Sequence, residues 1–164
     1  EAKAGWITIH GRTKNQMFSG SIDYNAISEI KKKVSIPVVG NGEIWTPEDG
    51  VKMINETGCD AIMLARGLIG NPWLVKQCND LFEKGEYGFP TLIEKREIIL
   101  NHLKLMIQEK GEIFGIREFR KHLVKYIKGV EGSKTFKQVA LKIENSNDLL
   151  NEIEYFFSEN EVMV

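Results

Sequence analysis

Two glycine-rich turns follow apolar segments of the chain and carry residues that could bind an anion. The run 36–39 leads into Gly40-Asn41-Gly42-Glu43, and 61–64 leads into Ala65-Arg66-Gly67. Glycine lets the backbone approach a ligand closely, and an arginine guanidinium matches the oxygens of a phosphate. If both runs are strands of one parallel sheet, the turns meet at the same edge. The pair predicts a phosphate site there, although each turn alone is equally typical of ordinary turn chemistry.

A histidine and an arginine lie on the same predicted edge. The β-branched run Trp6–His10 predicts the preceding strand, so His10 would lie where (β/α)8 barrels carry their functional residues. A lone histidine is more often structural, but this position favours a hydrogen bond to a ring or ribityl group of a cofactor. Arg12 would meet either an anionic substrate or a surface carboxylate.

The elements that must position these residues alternate between strand and helix. Three helices are predicted, over 24–33, 47–56 and 72–84. Thr46 and Gly58 have the residue types that cap the second of them. This alternation, with short connections and strands buried on both faces, indicates a parallel sheet with right-handed crossovers. Because three strands cannot close a barrel, we predict an α/β fold in which residues 1–86 are the C-terminal part of a (β/α)8 TIM barrel, about three strand–helix units.

The rest of the chain predicts helices only. Residues 85–90 contain two glycines and a proline and are interpreted as a linker. Thr91 and Glu94 have the spacing of a capping box. Four amphipathic segments follow, over 92–110, 116–130, 134–143 and 148–157. They predict a small all-α helical bundle domain over residues 91–160.

Positive charge is concentrated in this second half. Between Glu94 and Lys142 there are twelve Lys or Arg and six Glu, although the whole chain has a net charge of −1. Five cations share one broad face of the second predicted helix: Arg117, Arg120, Lys121, Lys125 and Lys128. Like charges repel, so a bound polyanion would explain their grouping. A solvated helix face is the plainer interpretation.

Composition excludes several other classes of protein. Cys59 and Cys78 have neither metal-ligand spacing nor the pattern of a disulfide framework, so no metal site is expected. We find no signal peptide and no apolar run long enough to span a bilayer, and expect a cytoplasmic protein. The chain begins at Glu1 with a strand close behind, and we expect it to be a piece of a longer protein.

The motifs together resemble the C-terminal half of a bacterial tRNA-dihydrouridine synthase. They follow the order and spacing of that family over nearly the whole chain. The matching segments are His10–Thr13, Val38–Ile44, Met63–Gly67, Gly70–Trp73 and Arg117–His122. Glu43 stands where the family usually has aspartate, which keeps the charge on a longer side chain.

The resemblance implies an enzyme with an FMN-bearing barrel and a C-terminal helical domain. Such enzymes reduce uridine in tRNA to dihydrouridine, and NADPH then reduces the flavin again. By the same resemblance, FMN would be bound by His10 at its ring or ribityl chain, by Ala65 and Arg66 at its phosphate, and along Asn41, Gly42 and Glu43. The cationic helix would bind tRNA.

The family's catalytic cysteine belongs to earlier strands, and neither Cys59 nor Cys78 matches it. We therefore predict no catalytic residue in this chain and expect the chain alone to be inactive. Two alternatives stay open at this point. One is another FMN barrel oxidoreductase that acts on a small molecule, and the other is a non-catalytic RNA-binding module.

Overall fold

The computed structural model describes residues 3–17 and 19–161. These form two compact units. The sheet unit comprises the described residues up to Leu68 together with Pro72–Gly88, and the helical unit comprises Ile69–Asn71 with those from Phe89 onward. The boundary after Gly88 lies in the segment predicted as a linker. In the described ranges, we find no helix with the combination of length and apolar character that crossing a bilayer demands.

The sheet unit alternates strands and helices. Its elements are β1 (Ile7–His10), α1 (Tyr24–Lys33), β2 (Val38–Asn41), α2 (Pro47–Thr57), β3 (Ala61–Met63), a 3-10 turn (Arg66–Leu68) and α3 (Leu74–Lys84). The strands are parallel in the order β1-β2-β3. His10 pairs with Asn41, which in turn pairs with Met63. The prediction of an α/β fold with a parallel sheet is confirmed; its place in a barrel stays a prediction.

The core of the sheet unit lies on one face of the sheet. Val38, Ile27, Met53 and Cys59 are buried there. A Cβ on Gly40 would come within 2.9 Å of both the Met53 and Cys59 side chains, so β2 and α2 pack closer than any larger residue permits. This close packing fixes the helix behind the middle strand.

The opposite face of the sheet is open, and this corrects one expectation. The strands were expected to be buried on both faces, yet Met63 is 50% exposed and Ala61 is exposed as well. Thr8 and His10 alternate outward on β1 in the same way. The reason is that, among the described residues, the buried core lies on one face only.

Local capping signals are confirmed where they were predicted. Thr46 and Asp49 form a capping box at the start of α2, and Gly58 ends that helix in the left-handed conformation, with φ 69°. Thr91 and Glu94 form a second capping box at the start of the first helix of the helical unit. These caps use groups within a few residues of one another, which is why sequence alone predicts them.

The helical unit contains four helices in its described part. They are α4 (Leu92–Lys110), α5 (Glu112–Tyr126), α6 (Ser133–Ala140) and α7 (Ser146–Glu161). Helix α4 packs against α5 and α7, and α6 packs against α7. Fully buried side chains from three of these helices form the core: Ile99, Leu103, Phe119, Leu123, Leu149, Ile153 and Phe157.

The predicted bounds of α5 were wrong, because this helix begins four residues earlier and ends four residues earlier than the predicted range 116–130. The predicted range left Gly115 outside the helix. In the structure Gly115 lies inside α5, and a Cβ there would come within 2.8 Å of the Ile107 Cα and the Met106 carbonyl oxygen. Glycine at this position therefore serves the close packing of α5 on α4.

Two histidines meet between α4 and α5. The rings of His102 and His122 lie 4.8 Å apart, and His102 Nδ1 forms a 3.1 Å hydrogen bond with the Tyr126 hydroxyl. Burial lowers the pKa of both imidazoles. The neighbouring histidine adds to the lowering at His102, and Lys121 adds to it at His122. The fold therefore favours the neutral form of both side chains.

We expect the free energy of unfolding to fall as pH decreases below about 6.5, the ordinary pKa of histidine. In the unfolded chain these histidines take up protons near that pH, whereas the folded pair resists protonation until lower pH, so acid favours unfolding. Urea unfolding between pH 7.5 and 5.5 measures this slope. Replacing both residues with glutamine should flatten it.

The matched control is Gln108→Ala, which changes an exposed residue of α4 that does not titrate and should leave the slope unchanged. NMR titration of the ring protons gives the pKa values directly. Midpoints at or above 6.5 for both rings would contradict this account.

Candidate functional site

The C-terminal ends of the three strands and the turns behind them line one recess. We call it the strand-end recess. It is lined by His10, Asn41, Gly42, Glu43, Ile44, Trp45, Met63, Ala65, Arg66 and Gly67. All six residues predicted to contact a cofactor are in this set, so the parallel register brings them together at one edge of the sheet.

Hydrogen bonds across the sheet hold the floor of the recess. The Asn41 side-chain amide donates to the Met63 carbonyl at 2.7 Å, which ties the end of β2 to the end of β3. On the other side, His10 Nδ1 lies 3.2 Å from the Asn41 carbonyl oxygen. Because a carbonyl only accepts, Nδ1 carries the proton in this bond, and Nε2 of a neutral ring is then an acceptor.

Two glycines bring the backbone close to the recess. Gly42 has φ 138°, and a Cβ there would come within 2.4 Å of the Ile22 side chain. A Cβ on Gly67 would come within 2.3 Å of the Ile44 carbonyl oxygen. The turn after β2 therefore packs closely on Ile22, and the turn after β3 packs closely on Ile44. At both glycines the recess is lined by backbone and not by a side chain.

The guanidinium of Arg66 lies beside the turn that follows β2. Its Cζ is 5.1 Å from the centre of the Trp45 ring, a cation–π contact. Sequence reasoning did not identify Trp45. Its position, two residues after the glycine-rich turn that ends at Glu43, is a signal that could have been used. The contact joins the second loop of the recess to the first and orients the guanidinium of Arg66.

Arg12 does not line the strand-end recess. Its side chain is only 1% exposed and forms an ion pair with the Glu43 carboxylate. It also donates to the Gly20 carbonyl from Nε at 3.0 Å and from Nη2 at 2.6 Å. Of the two expected contacts, an anionic substrate or a surface carboxylate, the structure shows the carboxylate: it belongs to Glu43 and is 40% exposed, whereas Arg12 itself is buried.

The five cations predicted to share one helix face divide into two groups. Four are exposed, namely Arg117, Lys121, Lys125 and Lys128. Lys128 lies two residues beyond the end of α5, so the prediction that one helix carries all five was wrong. Arg120 is half-buried and donates from Nη2 to the Ile143 carbonyl at 2.9 Å, while its Nε is buried without a hydrogen-bond partner in the structure. Arg120 therefore ties α5 to the segment between α6 and α7, and its charge is the least available to a ligand.

One of the exposed cations is already neutralised within the fold. Lys121 Nζ lies 3.0 Å from the Glu118 carboxylate, which also receives Lys110 at 3.1 Å. The two lysines lower the pKa of Glu118 and keep it ionised. Such exposed pairs are weak, so the network leaves Lys121 able to exchange partners.

The comparisons with known proteins identify one family. A family model described as Dihydrouridine synthase (Dus) matches residues 2–161. The chain is 37% identical to tRNA-dihydrouridine synthase B of Pasteurella multocida over 153 residues, which are 93% of the chain and 46% of that protein. It is 36% identical to tRNA-dihydrouridine synthase B of Shewanella oneidensis, over 93% of the chain and 48% of that protein.

A more distant organism has a similar protein. The chain is 36% identical to a probable tRNA-dihydrouridine synthase of Mycobacterium leprae over 148 residues, covering 89% of the chain and 38% of that protein. In each case the chain spans about half or less of the relative's length.

We expect Arg120→Ala to lower the free energy of unfolding by about 1–3 kcal/mol, because it removes a half-buried hydrogen bond and the packing of its side chain. Lys128→Ala, an exposed change in the turn that follows the same helix, should stay within roughly 0.5 kcal/mol of wild type. Urea unfolding measures both. Equal stabilities for the two variants would contradict the structural role given to Arg120.

Proposed function

The chain belongs to the dihydrouridine synthase family, and we propose that it is the part of a tRNA-dihydrouridine synthase that binds the FMN phosphate and holds tRNA. In this proposal residues 1–86 are the C-terminal part of a (β/α)8 barrel, and residues 91–160 are a helical tRNA-binding domain. The whole enzyme would reduce uridine in tRNA to 5,6-dihydrouridine. Because tRNA is the substrate, we place the reaction in the cytoplasm.

One observation carries the proposal: the turn after β2 and the guanidinium of Arg66 line the same recess. Backbone N–H groups and a guanidinium converging at the ends of parallel strands are the usual means of holding a phosphate. The family relationship supports FMN as the source of that phosphate.

The residues of the recess fit such a group. Added Cβ atoms at Gly42 and Gly67 would clash with Ile22 and Ile44, so only glycine permits this backbone path. The recess would take the phosphate end of FMN. His10, whose Nδ1 donates to the Asn41 carbonyl, would have Nε2 left to meet the ring or ribityl chain.

When bound and reduced by NADPH, FMN supplies the hydride that uridine receives. The residues of this chain bind and orient it. Asn41, fixed by its bond to the Met63 carbonyl, would keep the recess in shape, and Arg66 with the backbone of Ala65 would hold the phosphate. We assign no proton donor to this chain.

The two cysteines support that last assignment. Cys59 is buried against the helix-facing side of the sheet, and Cys78 is buried within α3, where burial raises the pKa of its thiol. Neither lines the strand-end recess. We therefore propose that the protonating cysteine of the enzyme lies outside these 164 residues and that the chain alone does not reduce uridine.

Exposed cations on α5 support tRNA as the partner of the helical unit. Arg117 and Lys125 on α5, and Lys128 just after it, are exposed, and α5 packs its other side on the core through Phe119 and Leu123. Cations arranged in this way contact phosphates along a nucleic-acid backbone and release counterions as they bind. Lys121 would join them by leaving Glu118.

We expect Arg66→Ala to weaken FMN binding by roughly ten- to hundredfold, since a hydrogen bond to a charged group contributes about 1.5–3 kcal/mol. Titration of the full-length protein, followed by quenching of flavin fluorescence, measures this. Riboflavin, which lacks the phosphate, is the matched ligand and should lose far less affinity. Lys33→Ala, a change in an exposed lysine at the C-terminal end of α1, controls for net charge. The phosphate assignment fails if Arg66→Ala binds both ligands as wild type does.

We expect Lys125→Gln and Lys128→Gln each to weaken binding of unmodified tRNA and to reduce the slope of log K against log salt by about 1, because each removes one phosphate contact. Fluorescence anisotropy at several salt concentrations measures the slope in the full-length protein. Lys33→Gln should leave it unchanged. Wild-type slopes for both lysine variants would show that neither lysine contacts tRNA.

A further inference from the structure

Arg12 is an unusual residue in the sheet unit because its cationic side chain is almost completely buried. The guanidinium is 1% exposed, whereas the Glu43 carboxylate that it contacts is 40% exposed. A buried charge is tolerated only when it is paired and hydrogen-bonded. The ion pair with Glu43 is therefore the main compensation for burying Arg12.

The bonds of Arg12 join two separate loops. Nε and Nη2 donate to the Gly20 carbonyl in the loop between β1 and α1, and Nη2 also contacts Glu43 in the turn after β2. Nη1 is buried and has no hydrogen-bond partner in the structure. The guanidinium thus lacks one hydrogen bond even with Glu43 in place. Loss of this carboxylate would leave a buried charge without an ionic partner, which destabilises the fold.

The turn that receives this ion pair is strained. Glu43 has φ 49°, a left-handed conformation that a residue with a side chain rarely adopts. Gly42, directly before it, has φ 138°. Residues held in such conformations persist only where surrounding interactions fix them. The ion pair with Arg12 is one such interaction, and it acts on the strained residue itself.

We infer that Arg12 and Glu43 are a positioning pair that holds the turn after β2 in the shape needed to bind a cofactor phosphate. This inference rests on the proposed function of the recess. Glu43 acts through Arg12, which lies away from the recess lining, and does not act by contact with the flavin. Arg12 in turn cannot reach a bound ligand, because its side chain is enclosed.

The test compares variants of the full-length protein. Arg12→Met and Glu43→Gln each break the pair, Glu43→Asp retains the charge, and Arg12→Met with Glu43→Met removes both charges together. The last variant avoids an uncompensated buried charge and should fold even where a single variant does not. Lys31→Met is the matched control, because it breaks the ion pair of Lys31 with Asp60, which precedes β3 at the other end of the sheet.

Two readouts are needed. In the absence of flavin, the amide NMR resonances of Gly42 and Glu43 should shift in every variant that breaks the pair and stay in place in Lys31→Met. With flavin, the pair-breaking variants should bind FMN more weakly by roughly ten- to hundredfold. Loss of a residue that supports a binding group, or a displacement of that group by about 1 Å, has an effect of this order. The double variant should lose no more affinity than the worse single one.

The absorption spectrum of the remaining bound flavin separates positioning from direct contact. A carboxylate that touched the flavin ring would alter the spectrum when neutralised, so Glu43→Gln and Arg12→Met should give the same spectrum as wild type. Loss of affinity in Glu43→Gln together with wild-type affinity in Arg12→Met would overturn the inference in favour of direct contact. Wild-type affinity in every variant would overturn it too.

Failure of the proposed function has a different signature. In that case the wild-type protein itself would not bind FMN, and the inference would fall with it. Wild-type binding that the pair-breaking variants retain contradicts the positioning role alone.

Discussion

The parallel pairing of β2 with both of its neighbours is the constraint on which the candidate site depends. His10, Asn41 and Met63 are in register, so the three strands end together and the turns behind them emerge at one edge. Close packing of Gly40 against α2 fixes the middle strand from behind. Without this register, the turn after β2 and Arg66 would be separate loops with no shared recess.

Arginines in this chain have different roles, and the surroundings of each guanidinium decide between them. Arg12 contacts Glu43 and Arg120 donates to the Ile143 carbonyl, each a residue more than 20 positions away. Each also has a buried nitrogen without a hydrogen-bond partner among the described residues, so both arginines hold separate segments together. Arg66 lines the recess against Trp45, and Arg117 is exposed. Residue type and spacing are the same kind of signal in all four cases, and only the fold separates the structural arginines from those able to bind a ligand.

This division explains how far sequence reasoning reached. It predicted the capping box of Thr91 and Glu94, the Thr46 and Gly58 caps and the meeting of two turns at one edge, because these follow from local patterns and from the geometry of a parallel sheet. It misplaced α5, because Gly115 serves a tertiary contact with α4 that has no local signature. It missed the burial of Arg12 for the same reason, since the ion pair joins residues 31 positions apart.

The two proposed ligands make opposite demands on positive charge, and the two units meet them differently. A cofactor phosphate has to be held in one orientation, which favours a planar guanidinium fixed against an aromatic ring and a backbone kept rigid by glycine and a buried ion pair. A folded RNA presents many phosphates whose exact positions vary, which favours long, hydrated lysines on an exposed helix. Lys125 and Lys128 have that freedom, whereas Arg66 has the Trp45 ring beside it. In this proposal the same charge would serve a fixed site in the sheet unit and an adaptable surface in the helical unit.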